Sequence, residues 1–128
     1  MKKKLLLVLI LNSTLYTFNS SAQSIAIAAG YDYSLFVCSD STVWAVGYNN
    51  NGKLGDNTIT SKSTPVKVHG PGNVGFLKGI KTISAGSDNA LALKSDSTVW
   101  AWGKNNKGQL GDSSITNRYT PVKVHGPG

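Results

Sequence analysis

The side chains in this 128-residue protein that are able to do chemistry are few: six aspartates, no glutamate, two histidines and one cysteine. Asp56 with Asn57, and Asp112 with the hydroxyls that follow it, are rich enough in oxygen to suggest a Ca²⁺ loop. The alternating Asp/Asn ligands and closing Glu of such a loop are missing, however. Turn chemistry is therefore expected of both aspartates. His69 and His125 lie in the same string, VHGPG, and would reach a metal only with further ligands from elsewhere. Ser, His and Asp are all present, as a nucleophilic triad requires, but no Gly-x-Ser-x-Gly elbow occurs. There is no Gly-x-x-x-x-Gly-Lys phosphate loop either. No catalytic residue, cofactor or metal is expected.

The stretch SDSTVWAWGKNNKGQLGD at 95–112 has a near-copy, SDSTVWAVGYNNNGKLGD, at 39–56. Aligned without gaps at a constant offset of 56, residues 26–72 and 82–128 agree at about 30 of 47 positions. The aspartates pair throughout: Asp32 with Asp88, Asp40 with Asp96, Asp56 with Asp112. A catalytic constellation gathers unlike residues from different places. Here every candidate recurs with its flanking sequence, which assigns these residues to a repeated scaffold.

Within each copy, apolar and aromatic residues come in runs of four to six between turn residues, the pattern of short strands. In the second copy the strands are expected at ISAG (83–86), ALALK (90–94), TVWAW (98–102) and TPVKV (120–124). Asp96 in the connection SDS can bond nearby backbone amides and tolerates a left-handed conformation. Pro121 suits an edge strand or a strand start. Four strands per unit and essentially no helix leave sheet faces that only neighbouring copies can cover. The segment NVGFLKGIK is read as the lead-in of the second unit.

Periods of this length with four short strands point to propeller blades. The residues resemble the regulator-of-chromosome-condensation repeat. The small-small-glycine entry is Ala28, Ala29, Gly30 and Ser84, Ala85, Gly86, and the hairpin ends are Val46, Gly47 and Trp102, Gly103. The closing turns are Gly52, Lys53, Leu54, Gly55 and Gly108, Gln109, Leu110, Gly111. The family often has His three residues after the entry glycine, where this chain has Tyr33 and Asn89, and Gly after the turn aspartate, where it has Ser41 and Ser97. The resemblance implies an all-β, β-propeller-type repeat, with two four-stranded blades of an expected seven-bladed ring. It also brings two contrasting precedents: nuclear members acting as exchange factors on a small GTPase, and secreted propellers that bind and inhibit enzymes. Two blades alone would expose wide apolar faces and strand edges. The chain is accordingly expected to be a fragment of a longer reading frame, or a protomer that completes its ring by self-assembly.

Residues 1–22 read as a signal peptide: Lys2, Lys3 and Lys4, the apolar run Leu5 to Leu11, then small Ser20 and Ala22 before Gln23. Asn12, Ser13 and Thr14 interrupt the run too early for a membrane span. Export to a secreted, periplasmic or cell-surface location is expected, without stable membrane insertion, and with propeller repeats at 23–72 and 73–128. Removing the leader leaves ten basic against six acidic side chains, a net charge of about +4. The basic residues are scattered, so no nucleic-acid partner is expected. Cys38 is alone and aligns with Lys94, which gives it no intramolecular disulfide partner and no repeated site role.

Function is then sought where the copies differ, on loops, among residue types favoured at interfaces. Tyr31, Tyr33, Tyr48, Lys62, Arg118 and Tyr119 are the candidate partner-binding residues, and the expected activity is recognition of a protein partner without catalysis. The alternative is a carbohydrate-binding or cell-surface adhesion module lined by Trp44, Trp100 and Trp102. Their alternation along a strand favours packing between blades instead.

Overall fold

The computed structural model describes residues 26–126; the signal sequence expected at 1–22 lies outside them. Eight strands form two four-stranded antiparallel sheets. The first is β1 (Ile27–Ala29), β2 (Tyr33–Val37), β3 (Val43–Gly47) and β4 (Lys62–Lys67), hydrogen-bonded in that order. The second repeats it with β5 (Ile80–Ala85), β6 (Asn89–Lys94), β7 (Val99–Gly103) and β8 (Arg118–Lys123). The four strands expected in the second copy are all present. β5 begins three residues earlier than ISAG, and β8 starts at Arg118 because that residue pairs with Gly103 across a bulge. Pro65 and Pro121 both lie in outer strands, where a missing N–H costs no ladder bond.

The turn aspartates do what their residue type allows. Asp40 Oδ1 accepts from the Thr42 amide at 3.0 Å and from its hydroxyl at 2.6 Å, and Asp96 repeats both bonds with Thr98. The left-handed residue is not Asp96, however, but the serine after it: φ is 59° at Ser41 and 67° at Ser97. With the carboxylate tied to the residue two places on, the following position carries the reversal, and here the family often has glycine. At the other end of each hairpin, Gly47 and Gly103 take φ of 121° and 101°. A Cβ there would lie 2.6 Å and 2.4 Å from the carbonyl oxygens of Asp32 and Asp88, so no side chain fits.

The asparagine-rich turns are built around one buried amide each. Asn49 Nδ2 donates to Asp56 Oδ1, to the Thr58 carbonyl and hydroxyl, and to the Thr60 carbonyl, at 3.0–3.2 Å, while its Oδ1 accepts from the Leu54 amide at 2.9 Å. Asn105 makes the corresponding bonds to Asp112, Ser114, Thr116 and Leu110. In a loop without strand or helix bonds, one side chain thereby satisfies several backbone groups at once.

The core lies between the two sheets. Leu35, Val37, Val43 and Ala45 on the first join Ala90, Ala92 and Trp102 on the second in one buried cluster with Leu54, Val68 and Leu77. The lead-in segment is shared between the units: Leu77 donates its amide to the Val68 carbonyl at 3.0 Å, and Phe76 bridges to His69. Replacing Asn49 by Ala would leave the buried Leu54 amide and the Thr58 and Thr60 carbonyls without their partner. The expected loss is about 2–4 kcal/mol of stability, read as a lower urea midpoint at unchanged slope. An unchanged midpoint would refute the role given to this amide.

Candidate functional site

Chain topology brings the candidate partner-binding residues, all of which differ between the copies, to one end of the two sheets. β1 ends and β2 begins there, β3 ends and β4 begins there, and the second sheet follows suit. Tyr48 donates its amide to the Asp32 carbonyl at 2.9 Å, and Lys104 does the same to Asp88 at 2.8 Å. Gly47 pairs with Lys62 and Gly103 with Arg118 across the outer strands. Tyr31, Tyr48 and Tyr119 are exposed at this end. Lys62 is half-buried and faces Asp56 at 3.8 Å. Arg118 donates through Nε to Asp112 Oδ2 at 2.6 Å and through a terminal nitrogen to Ser114 Oγ at 3.2 Å. Tyr119 crosses between units: a Cβ on Gly52 would come within 2.3 Å of its ring, and its carbonyl accepts from the Asn57 amide.

Tyr33 is placed differently from the other five. It is buried, 4% exposed, and its hydroxyl donates to the Asn89 carbonyl in the second unit at 2.6 Å. Burial, with the nearby Asp88 and Asp32 charges, pushes that hydroxyl well above the ordinary phenol range against a backbone hydrogen bond from Gly86. It therefore stays protonated and donates. Its position three residues after the entry glycine makes it a bond between repeats, not part of the exposed surface.

A group that the sequence reading missed sits at the centre of this end. The Lys53 side chain is only 1% exposed, and its Nζ lies 2.5 Å from Asp32 Oδ1 in its own unit and 3.0 Å from Asp88 Oδ1 in the next. It also donates to the Ser87 carbonyl and lies 5.5 Å and 5.1 Å from the ring centres of Tyr33 and Tyr48. Burial works against the ammonium charge, but the bonds and charges of Asp32 and Asp88 outweigh it and raise its pKa above the ordinary lysine value. Lys53 in turn holds the Asp88 carboxyl below its usual range. The Lys53 carbonyl accepts from the Trp102 indole at 2.9 Å, and a Cβ on Gly55 would lie 3.0 Å from that ring. Trp102 thus packs between blades. The available signal for Lys53 was that it is the one charge change within the closing turn, where the other copy has Gln109.

The two histidines are engaged in local bonds. His125 Nδ1 lies 2.9 Å from Ser113 Oγ, and His69 Nδ1 lies 2.6 Å from Asn73 Oδ1. Among the described residues no group of three or more His, Cys, Asp or Glu comes together as a metal site. Burial pushes the Asp112 carboxyl up, but hydrogen bonds from Ser114, Arg118 and Asn105 prevail and hold it at about 2.

Two models of the regulator of chromosome condensation (RCC1) repeat match the sequence, one at residues 25–53 and 80–109 and the other at 40–93 and 96–128. The chain belongs to the RCC1 repeat family. It is 34% identical over 97 residues to the X-linked retinitis pigmentosa GTPase regulator of Canis lupus familiaris, a match that covers 76% of this chain and 9% of that protein. It is 33% identical over 103 residues to the probable E3 ubiquitin-protein ligase HERC4 of Homo sapiens, covering 80% of this chain and 9% of the ligase. Among solved structures, human WBSCR16 matches with a TM-score of 0.68 at 25% identity, over 79% of this chain and 25% of that one. Yeast RCC1 (Prp20) bound to Kap60 matches with a TM-score of 0.66 at 26% identity, over 84% and 24%. The chain thus spans about a tenth of these curated relatives and about a quarter of these solved chains, and its two sheets are propeller blades of RCC1 type.

The depressed Asp112 carboxyl sets a pH dependence. A folded-state pKa of about 2, below the ordinary 3.8, contributes stability that is present above pH 4 and lost as pH falls from about 4 toward 2. Thermal unfolding of Asp112→Asn should show a shallower fall in Tm across that window than the wild type; parallel falls would contradict the assignment.

Proposed function

We propose that the chain is an exported scaffold that recognises a protein partner through the loop end of its blades, without catalysis. The observation that carries this reading is that Tyr31, Tyr48, Lys62, Arg118 and Tyr119, which all differ between two otherwise similar copies, gather at one end of the sheets. Exposed tyrosines beside cations are the side chains that interfaces favour. The residues the copies share there, Asn49 and Asn105, Asp56 and Asp112, are bonded within their own turns. Protein recognition is also in keeping with the relatives: one yeast structure is of RCC1 (Prp20) bound to Kap60, and another concerns the binding properties of Prp20p to Gsp1p and histones. Export rests on the leader-like residues 1–22.

A carbohydrate reading is favoured by one observation, a groove of about 310 Å³ lined by Trp100 with Arg118, Lys123 and His125. Trp102 does not contribute to it, being buried against the first unit, and Trp44 stacks with Phe36.

The test replaces first-copy residues by their second-copy counterparts, Tyr31→Ser with Tyr48→Lys, both at exposed positions. A protein captured by the wild-type chain from its native extracellular or envelope fraction should bind the double variant about tenfold or more weakly. Unchanged affinity would refute this surface. Binding on a glycan array abolished by Trp100→Ala would favour the carbohydrate reading.

A further inference from the structure

The cations are scattered along the sequence but sorted in space. At the loop end, Lys53, Lys62, Lys104, Lys107 and Arg118 stand against four aspartates, and the five ion pairs formed among the described residues are all there. The opposite end, where β2 turns into β3 and β6 into β7, holds Lys67, Lys78, Lys81, Lys94 and Lys123 against only Asp40 and Asp96. Both carboxylates are already tied to Thr42 and Thr98. Five cations against two acids, with no ion pair among the described residues, leave this hairpin end with most of the positive charge of the fold.

Two of these lysines are carried across the hairpin end by the segment between the aligned copies. Ile80 donates its amide to the Ser41 carbonyl at 3.3 Å, and the Gly79 carbonyl accepts from the Ser95 amide at 2.9 Å and its hydroxyl at 3.1 Å. Lys78 and Lys81 flank these bonds, and both are exposed. The same short segment presents apolar side chains to water: Val74 is 77% exposed and Phe76 44% exposed. Lys67 Nζ lies 5.1 Å from the centre of the Phe76 ring. The duplication supplies no counterpart for 73–81, so the repeat itself does not account for this pairing of lysine with valine and phenylalanine. Packing of sheet on sheet covers faces and leaves the hairpin end open.

The described chain also enters the fold at this end. Val37 donates its amide to the Ala26 carbonyl at 2.8 Å, beside the first hairpin. The apolar run at 5–11 therefore joins the fold on the side of the lysines, not on the side of the candidate partner-binding tyrosines.

We propose that the hairpin end rests on an anionic lipid surface, with Lys78 and Lys81 at the headgroup phosphates, Lys94 and Lys123 adding to the field, and Val74 and Phe76 at the edge of the acyl region. Clustered lysines attract an anionic leaflet, and apolar side chains among them gain from its interface. A soluble polyanion would answer the lysines and leave Val74 in water. The loop end then points away from the bilayer, open to a protein partner.

A fluorophore at the tip of the segment tests this. The full chain carrying Val74→Cys and Cys38→Ser, labelled with nitrobenzoxadiazole, should show a blue-shifted emission on vesicles of phosphatidylglycerol and phosphatidylcholine and none on phosphatidylcholine alone. Lys78→Gln with Lys81→Gln should raise the lipid concentration at half-maximal shift about tenfold or more, whereas Lys107→Gln at the loop end should leave it unchanged. Residues 1–22 are the same in every variant, so these differences belong to the hairpin end. Added salt should weaken the wild-type shift, a check that needs no lysine variant. An equal shift on neutral vesicles would overturn the proposal, as would a shift indifferent to the lysine pair or equally sensitive to Lys107→Gln. Co-sedimentation with anionic vesicles without any shift at the label would overturn it too, because the attraction would then be to charge alone.

Discussion

The contact between the two sheets combines a shared apolar cluster with an ion triad centred on the buried Lys53. Apolar contact between repeats is non-directional and tolerates sliding, and directed bonds across it, such as Tyr33 to the Asn89 carbonyl and the Asn57 amide to Tyr119, fix the register. Lys53 adds direction: its ammonium is enclosed between the Asp32 carboxylate of one unit and the Asp88 carboxylate of the next. Its backbone carbonyl takes the Trp102 indole in the same turn. Removing the cation would leave two partly exposed carboxylates facing each other across the contact without the charge that offsets their repulsion. Gly52 and Gly55 take positive φ, as Gly108 and Gly111 do in the other copy, and here they also let Tyr119 and Trp102 come close.

The duplication separates two kinds of residue by physical role. Those held in common serve the blade: Asp40 and Asp96 close the hairpin, Asn49 and Asn105 knot the long turn, and Gly47 and Gly103 let the chain pass a carbonyl. Those that differ include two groups. Lys53 and Trp102, where the other copy has Gln109 and Val46, make bonds across the contact between the units. Tyr31, Tyr48 and Tyr119 are exposed at the loop end, although Tyr48 also lies over Lys53 and Tyr119 against Gly52.

Much of the fold was legible in the sequence because strands and turns are local. Runs such as ALALK and TVWAW, ended by Asp-Ser or aromatic-glycine, carry their own boundaries, and the offset of 56 lets each copy confirm the other. What was not legible depends on contacts between units. Tyr33 looked like a loop tyrosine, and only the approach of the Asn89 carbonyl from the second unit makes it a buried donor. Lys53 entered only as a member of the closing turn; its significance comes from Asp88, 35 residues away in sequence. The left-handed residue moved from Asp96 to Ser97 for a local reason, the carboxylate being already committed to Thr98.

The contact between the units is either part of the global fold or a loose association of two separately stable sheets. Hydrogen exchange of the Trp102 indole proton, followed by NMR, reports directly on the bond to the Lys53 carbonyl. It should exchange only with global unfolding, at the same opening free energy as the Leu35 and Ala92 amides in the central strands. An indole proton that exchanges much faster than those amides would show that the units part while each sheet stays folded, and would contradict the central place given to the Lys53 turn.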